Sequence, residues 1–159
     1  MSSIYDVASL HNKMGHNKFR NEKPGFLNDD FMKMRLDFAM EELLELGTAC
    51  GFEFEGGMGQ GEFFRGKGAR NLCDALDAII DKVYVDLGTA DLMGFRNPVP
   101  PAAKDGLEMT IWFTAWSRVH RANMLKEPVA NARESSRGFG IDLKKPIGWI
   151  KPQFRDLLI

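Results

Sequence analysis

Apolar residues recur at helical spacing in four stretches, and polar, glycine- or proline-rich segments separate them. Val7, Leu10 and Met14 give a short first helix over residues 3–14, with Ser2 or Ser3 as its cap. Asn28, followed by Asp29 and Asp30, opens a second. The amide side chain can accept from free helix N–H groups, and the two acids sit at the positive end of the helix dipole. That helix spans 29–49 and Gly51 stops it. The third, 69–92, carries the most regular stripe: Leu72, Leu76, Ile79, Ile80, Val83 and Leu87. Gly94 and the run Asn97-Pro98-Val99-Pro100-Pro101 end it. A fourth, 104–126, is rich in aromatics, and His120, Asn123 and Lys126 share one of its faces. Residues 127–159 read as an extended, proline-interrupted tail that Trp149 pins to the helices. Residues 51–68 are glycine-rich. Phe52-Glu53-Phe54-Glu55 alternates with period two and would allow a small hairpin, but a surface loop is the preferred reading. The pattern as a whole predicts an all-α fold: a four- to five-helix bundle with an extended C-terminal tail, in a single domain over 1–159.

Composition narrows this little. A 44% hydrophobic share in 159 residues is enough for one buried core. A formal net charge of −1 argues against a surface built to coat a nucleic-acid polymer, so any nucleotide partner should be small and held locally. No apolar run is long enough to cross a bilayer, and Met1 precedes polar Ser2 and Ser3 without a basic-then-apolar leader, so a cytoplasmic location is expected. Cys50 and Cys73 stand in no metal-ligand spacing and form no disulfide framework; both read as small buried residues.

The chemistry concentrates in the second and third helices. Helical residues turn by about 100°, so Glu42 and Glu45 share a face, with Glu41 beside them. Asp74, Asp77 and Asp81 share a face of the third helix. If the apolar stripes of the two helices pack together, at least four carboxylates meet where like-charge repulsion is weakly screened. A hard divalent cation resolves that conflict, because Mg²⁺ or Mn²⁺ prefers carboxylate oxygens and leaves positions for water or phosphate. A carboxylate cluster on one helix is most often a solvated face. Here the acids border Phe38 and Leu46 instead of alternating with lysines, and the next long helix repeats the arrangement.

Other metal and phosphate motifs fail. Gly61-Glu62-Phe63-Phe64-Arg65-Gly66-Lys67-Gly68 nearly matches a P-loop, but Gly68 stands where a hydroxyl should hold Mg²⁺ and no strand-helix-strand pattern surrounds it. A di-iron bundle needs Glu-x-x-His, whereas Ala8, Lys13 and Ser117 stand three residues before His11, His16 and His120. Zinc has neither a cysteine pair nor a His-Glu-x-x-His motif.

Five motifs follow one another along the chain: Asp6-Val7-x-x-Leu10-His11-x-Lys13-Met14-Gly15, Glu41-Glu42-x-x-Glu45, Asp77-x-x-x-Asp81-Lys82-Val83-Tyr84, Val119-His120-Arg121-Ala122-Asn123-Met124-x-Lys126 and Lys145-Pro146-Ile147-Gly148-Trp149-Ile150-Lys151-Pro152. In this order they resemble the all-α nucleoside triphosphate pyrophosphohydrolases, the MazG-like family, and its short phage-type members in particular. The usual family pattern has Glu-x-x-Asp on the third helix. If Asp81 is that aspartate, Ala78 takes the glutamate position, and the phage-type spacing supplies the ligand through Asp77.

The resemblance implies Mg²⁺-dependent hydrolysis, with Mn²⁺ as a substitute, of a (deoxy)nucleoside triphosphate to the monophosphate and pyrophosphate, with dGTP the first substrate to try. Glu42, Glu45, Asp77 and Asp81 would hold the metal, with Glu41 and Glu42 as the catalytic acids and Glu41 orienting the attacking water. Asn123 and Lys126 would contact phosphate, and His11, Asn12 and Lys13 would help to form the base and sugar pocket. A homodimer or homotetramer is implied, working in the host cytoplasm if the protein is viral. Alternatives are a phosphoribosyl-ATP pyrophosphohydrolase and a non-catalytic helical module that binds a nucleotide or a protein.

Overall fold

Two asparagines set where the long helices begin. Asn28 Oδ1 accepts from the Phe31 N–H at 2.9 Å, and Asn71 Oδ1 accepts from the Cys73 and Asp74 N–H groups at 3.0 and 3.4 Å. The computed structural model describes residues 4–57, 60–100, 110–135 and 140–158. The chain divides into two units, Met1–Arg96 and Asn97–Ile159.

The first unit holds α1 (Ile4–Lys13), α2 (Asp29–Ala49), β1 (Phe52–Gly57), β2 (Gln60–Arg65) and α3 (Leu72–Leu92). The end of α2 meets the start of α3, where the Asn71 N–H bonds to the Ala49 carbonyl. Early in α2, Arg35 reaches late α3, donating to the Val85 carbonyl at 2.6 Å and to Thr89 Oγ1 at 3.1 Å. The two helices therefore run antiparallel. α1 lies along α3, and Ile4, Val7, Ala75, Ala78, Leu87 and Leu92 belong to the core.

The expectation of an all-α chain is overturned. Four α-helices are accompanied, among the described residues, by two two-stranded antiparallel sheets, which makes the fold mixed α/β. β1 and β2 pair antiparallel, where a surface loop was expected. Alternation puts Phe52 and Phe54 on one side, opposite Arg65 and Phe63, and the Phe54 and Phe63 rings lie 5.2 Å apart. The hairpin then seats on α2 at Gly47, where any Cβ would collide with the Phe63 ring. Gly51 turns the chain into β1 with φ of +76°, and Arg65 donates back to its carbonyl.

The α3 stripe also departs from expectation. Leu87 is buried, but Leu72, Leu76, Ile79, Ile80 and Val83 are all exposed, Leu72 by 85%. Small residues, Ala75 and Ala78, occupy the face turned inward. Cys73 is likewise exposed and Cys50 half-buried, so the two are not both small core residues; both are free thiols.

The second unit holds α4 (Ile111–Met124), β3 (Glu127–Pro128) and β4 (Leu143–Lys144), the strands pairing antiparallel. Thr110 caps α4, accepting from the Phe113 N–H. The expected helical residues 104–109 lie outside the described residues, as do Ser2 and Ser3. Ile111, Thr114, Ala122, Val129 and Leu157 are buried. Trp149 Nε1 donates to the Ala122 carbonyl at 2.7 Å, and Arg118 grips Asp156 through two 2.7 Å bonds, so the tail is tied to α4. Among the described residues no helix is long and apolar enough to cross a membrane.

Candidate functional site

The antiparallel pairing of α2 and α3 brings their acids to the same level. A cavity of about 700 Å³ opens between them, lined by Asp37, Glu41 and Glu45 from α2 and by Asp74 and Asp77 from α3, with Met40, Leu44 and Ala49 as its apolar wall. Glu42 stands next to this group. Its Oε2 is closed off from solvent and has no hydrogen-bond partner among the described residues. Burial, together with the charges of Glu45, Asp81, Glu41 and Asp77, pushes the Glu42 carboxyl up from the ordinary carboxylate range. Glu42 is thus the point at which acids of both helices act on one another.

The donor set suits a hard divalent cation in kind. An orphaned, desolvated carboxylate oxygen among four further acids is what a hard cation would satisfy, and the all-oxygen donors suit Mg²⁺ or Mn²⁺ over a softer metal. The groups fit in kind and neighbourhood. They are not gathered to coordination distance: among the described residues no three His, Cys, Asp or Glu side chains converge on a single point.

The remaining expected site residues lie elsewhere. His11 is only 5% exposed, and its Nδ1 sits 2.9 Å from Asp91 Oδ2, which places the imidazole in the contact between α1 and α3 and not in the carboxylate-lined cavity. Asn12 and Lys13 are exposed on the last turn of α1. Asn123 on α4 is exposed, and Lys126, just beyond it, has its ammonium 5.9 Å from the Trp149 ring; both belong to the second unit. Two acids that had no assigned role, Asp37 and Asp74, line the cavity. Asp37 is paired with Lys33 one turn earlier, and Asp74 accepts from Asn71 Nδ2 at 2.7 Å. Asp74 shares a helix face with Asp77, and that spacing was the available signal.

Asp91 is a buried acid that motif reading passes over. It is 1% exposed and compensated by Arg96 Nε at 2.7 Å, Arg20 at 3.8 Å and His11. It fixes α1 and the 16–20 turn onto the end of α3, leaving no free charge for chemistry. Comparison of the chain with family models, with curated proteins and with solved structures returns no match.

Proposed function

We infer that the first unit hydrolyses a nucleoside triphosphate to the monophosphate and pyrophosphate with the help of Mg²⁺ or Mn²⁺. The observation that carries this reading is the buried, unpartnered Glu42 oxygen set among acids of two helices beside an open cavity. The motif resemblance suggests the reaction, and the open cavity beside these acids supports the reading.

Glu42 and Glu45 from α2 and Asp77 and Asp81 from α3 would hold the cation. The bound cation supplies charge neutralisation at the phosphates. Glu41 lines the cavity and is exposed, so its carboxylate can orient a water and accept its proton as the α-phosphorus is attacked. Met40, Leu44 and Ala49 form an apolar wall against which a base or sugar can lie, and the cavity volume is in the range of small-ligand sites. A deoxynucleotide, with dGTP first, is the proposed substrate, met in the cytoplasm.

The exposed stripe Leu72, Leu76, Ile79, Ile80 and Val83 supports a homo-oligomer, since contiguous apolar surface of this kind marks association sites. The deciding experiment screens the eight common NTPs and dNTPs with Mg²⁺ and Mn²⁺ and scores pyrophosphate against orthophosphate. Pyrophosphate release that depends on Glu42 is expected. Orthophosphate alone, or turnover unaffected in Glu42→Gln, would refute the assignment.

A further inference from the structure

The second unit carries a different kind of cleft. About 440 Å³ of space lies between α4 and the segment 148–153, with Arg118, Arg121 and Lys151 around it and Leu125, Ile150 and Pro152 among its apolar lining. Its two walls are tied together: Trp149 donates to Ala122, and Arg118 bonds the Gln153 carbonyl as well as Asp156. The opening is therefore held in shape before any ligand arrives, which lowers the ordering cost of binding.

The charges around it are unevenly matched. Arg118 is neutralised by Asp156. Arg121 makes only a long bond from Nε to the Ser117 carbonyl of its own helix, and neither it nor Lys151 has an acidic partner among the described residues. Two uncompensated cations thus face one cleft. The unit around them has ten Lys and Arg against six Asp and Glu, a net of +4.

We propose that Arg121 and Lys151 form an anion site that takes the phosphate of a small phosphorylated metabolite, the apolar lining accommodating its organic part. A guanidinium can bind two phosphate oxygens at once, while an ammonium adds a compact point charge. The volume favours a small molecule over a polymer, and the net charge of the whole chain, −1, gives a nucleic acid no extended basic track.

The test uses the full chain in EDTA, so that no divalent cation bridges phosphate to the acidic cavity. Calorimetric titrations with inorganic phosphate and with a nucleoside monophosphate are run on wild type, Arg121→Gln/Lys151→Gln and Glu42→Gln. The expected result is binding that weakens with salt, falls at least 10-fold in the double variant and is retained in Glu42→Gln. The monophosphate should bind more tightly than inorganic phosphate. Absence of binding in wild type, or equal affinity in the double variant, overturns the site. Duplex DNA binding more tightly than either probe through the same two residues would overturn the small-ligand reading. Because the acidic cavity is silent in EDTA, failure here is separable from failure of the hydrolase reading.

Discussion

The two units of this chain solve opposite electrostatic problems. Residues 1–96 hold sixteen Asp and Glu against eleven Lys and Arg, a net of −5, whereas residues 97–159 are net +4. In the first, acids crowd together: Glu42 is pushed up by burial and by four neighbouring carboxylates. In the second, among the described residues, Asp156 and Glu134 are each matched to a cation. A hydrogen bond from Arg118 holds Asp156 below its ordinary range, and a bond from Lys144 does the same for Glu134. Paired acids need nothing more from the environment. Crowded acids are left asking for a cation, which is why the chemistry is assigned to the first unit.

The largest effect expected from breaking the contrast is on turnover. Glu41→Gln should lower kcat by about 10²–10⁴-fold, the usual range for loss of a general base. Steady-state pyrophosphate release checks it, and a change under about threefold would remove Glu41 from the water-orienting role.

Next in size is the packing of the hairpin on α2. Gly47→Leu forces a side chain into the Phe63 ring and should cost about 1–3 kcal/mol. For a chain of this length that is roughly 2–4 °C of melting temperature per kcal/mol. Gly68→Ala, where nothing stands within 4 Å, should leave the melting temperature unchanged. Equal melting temperatures for the two variants would mean that the hairpin does not rest on α2 at Gly47.

A smaller effect comes from relieving the repulsion itself. In EDTA at pH 8, Glu42→Gln should raise the melting temperature by about 1–4 °C, because one charge leaves the cluster. Adding Mg²⁺ should then raise it less than in wild type. A drop in EDTA would show that the ionised Glu42 is already satisfied.

The subtlest is the opposite pH dependence of the two units. A carboxyl with a raised pKa holds its proton more tightly folded than unfolded. Its contribution is fully present below the unfolded pKa and is lost as pH rises through the folded value. Asp156 and Glu134 behave in the reverse sense: their contribution is present above the unfolded pKa and lost as pH falls through the depressed one. Side-chain carboxyl NMR shifts recorded against pH should show Glu42 titrating at higher pH than Glu134 and Asp156. Glu42 titrating at or below Glu134 would erase the distinction.

Much of the helical frame was legible because its signals are local. Asn28 caps the helix it precedes, and α2 spans the expected 29–49; α3 begins at Leu72 and not at the expected 69, because Asn71 caps it there. The hairpin was not the preferred reading because its support is not local: Phe63 packs on α2 at Gly47, which sequence alternation cannot reveal. Periodicity also found the α3 stripe without saying what faces it. Ala75 and Ala78 allow close approach to the rest of the unit, and the large residues Leu72 and Leu76 are left at the surface. At the site, helix geometry puts Glu42 and Glu45 on one face with Glu41 beside them, and Asp74, Asp77 and Asp81 on another, but which of these line one cavity (Glu41, Glu45, Asp74 and Asp77) is a tertiary fact. His11 was placed at a pocket by motif alone, and only a long-range partner, Asp91, 80 residues away, shows why it is buried.

The central claim is that acids from α2 and α3 act on one cation. Titration of the metal-free protein with Mn²⁺, with free ion followed by electron paramagnetic resonance, tests it with no reference to turnover. Glu45→Gln on α2 and Asp81→Asn on α3 should each weaken Mn²⁺ binding by at least about 10-fold, as loss of a group that holds or orients a metal does. Wild-type affinity in Asp81→Asn would contradict the account.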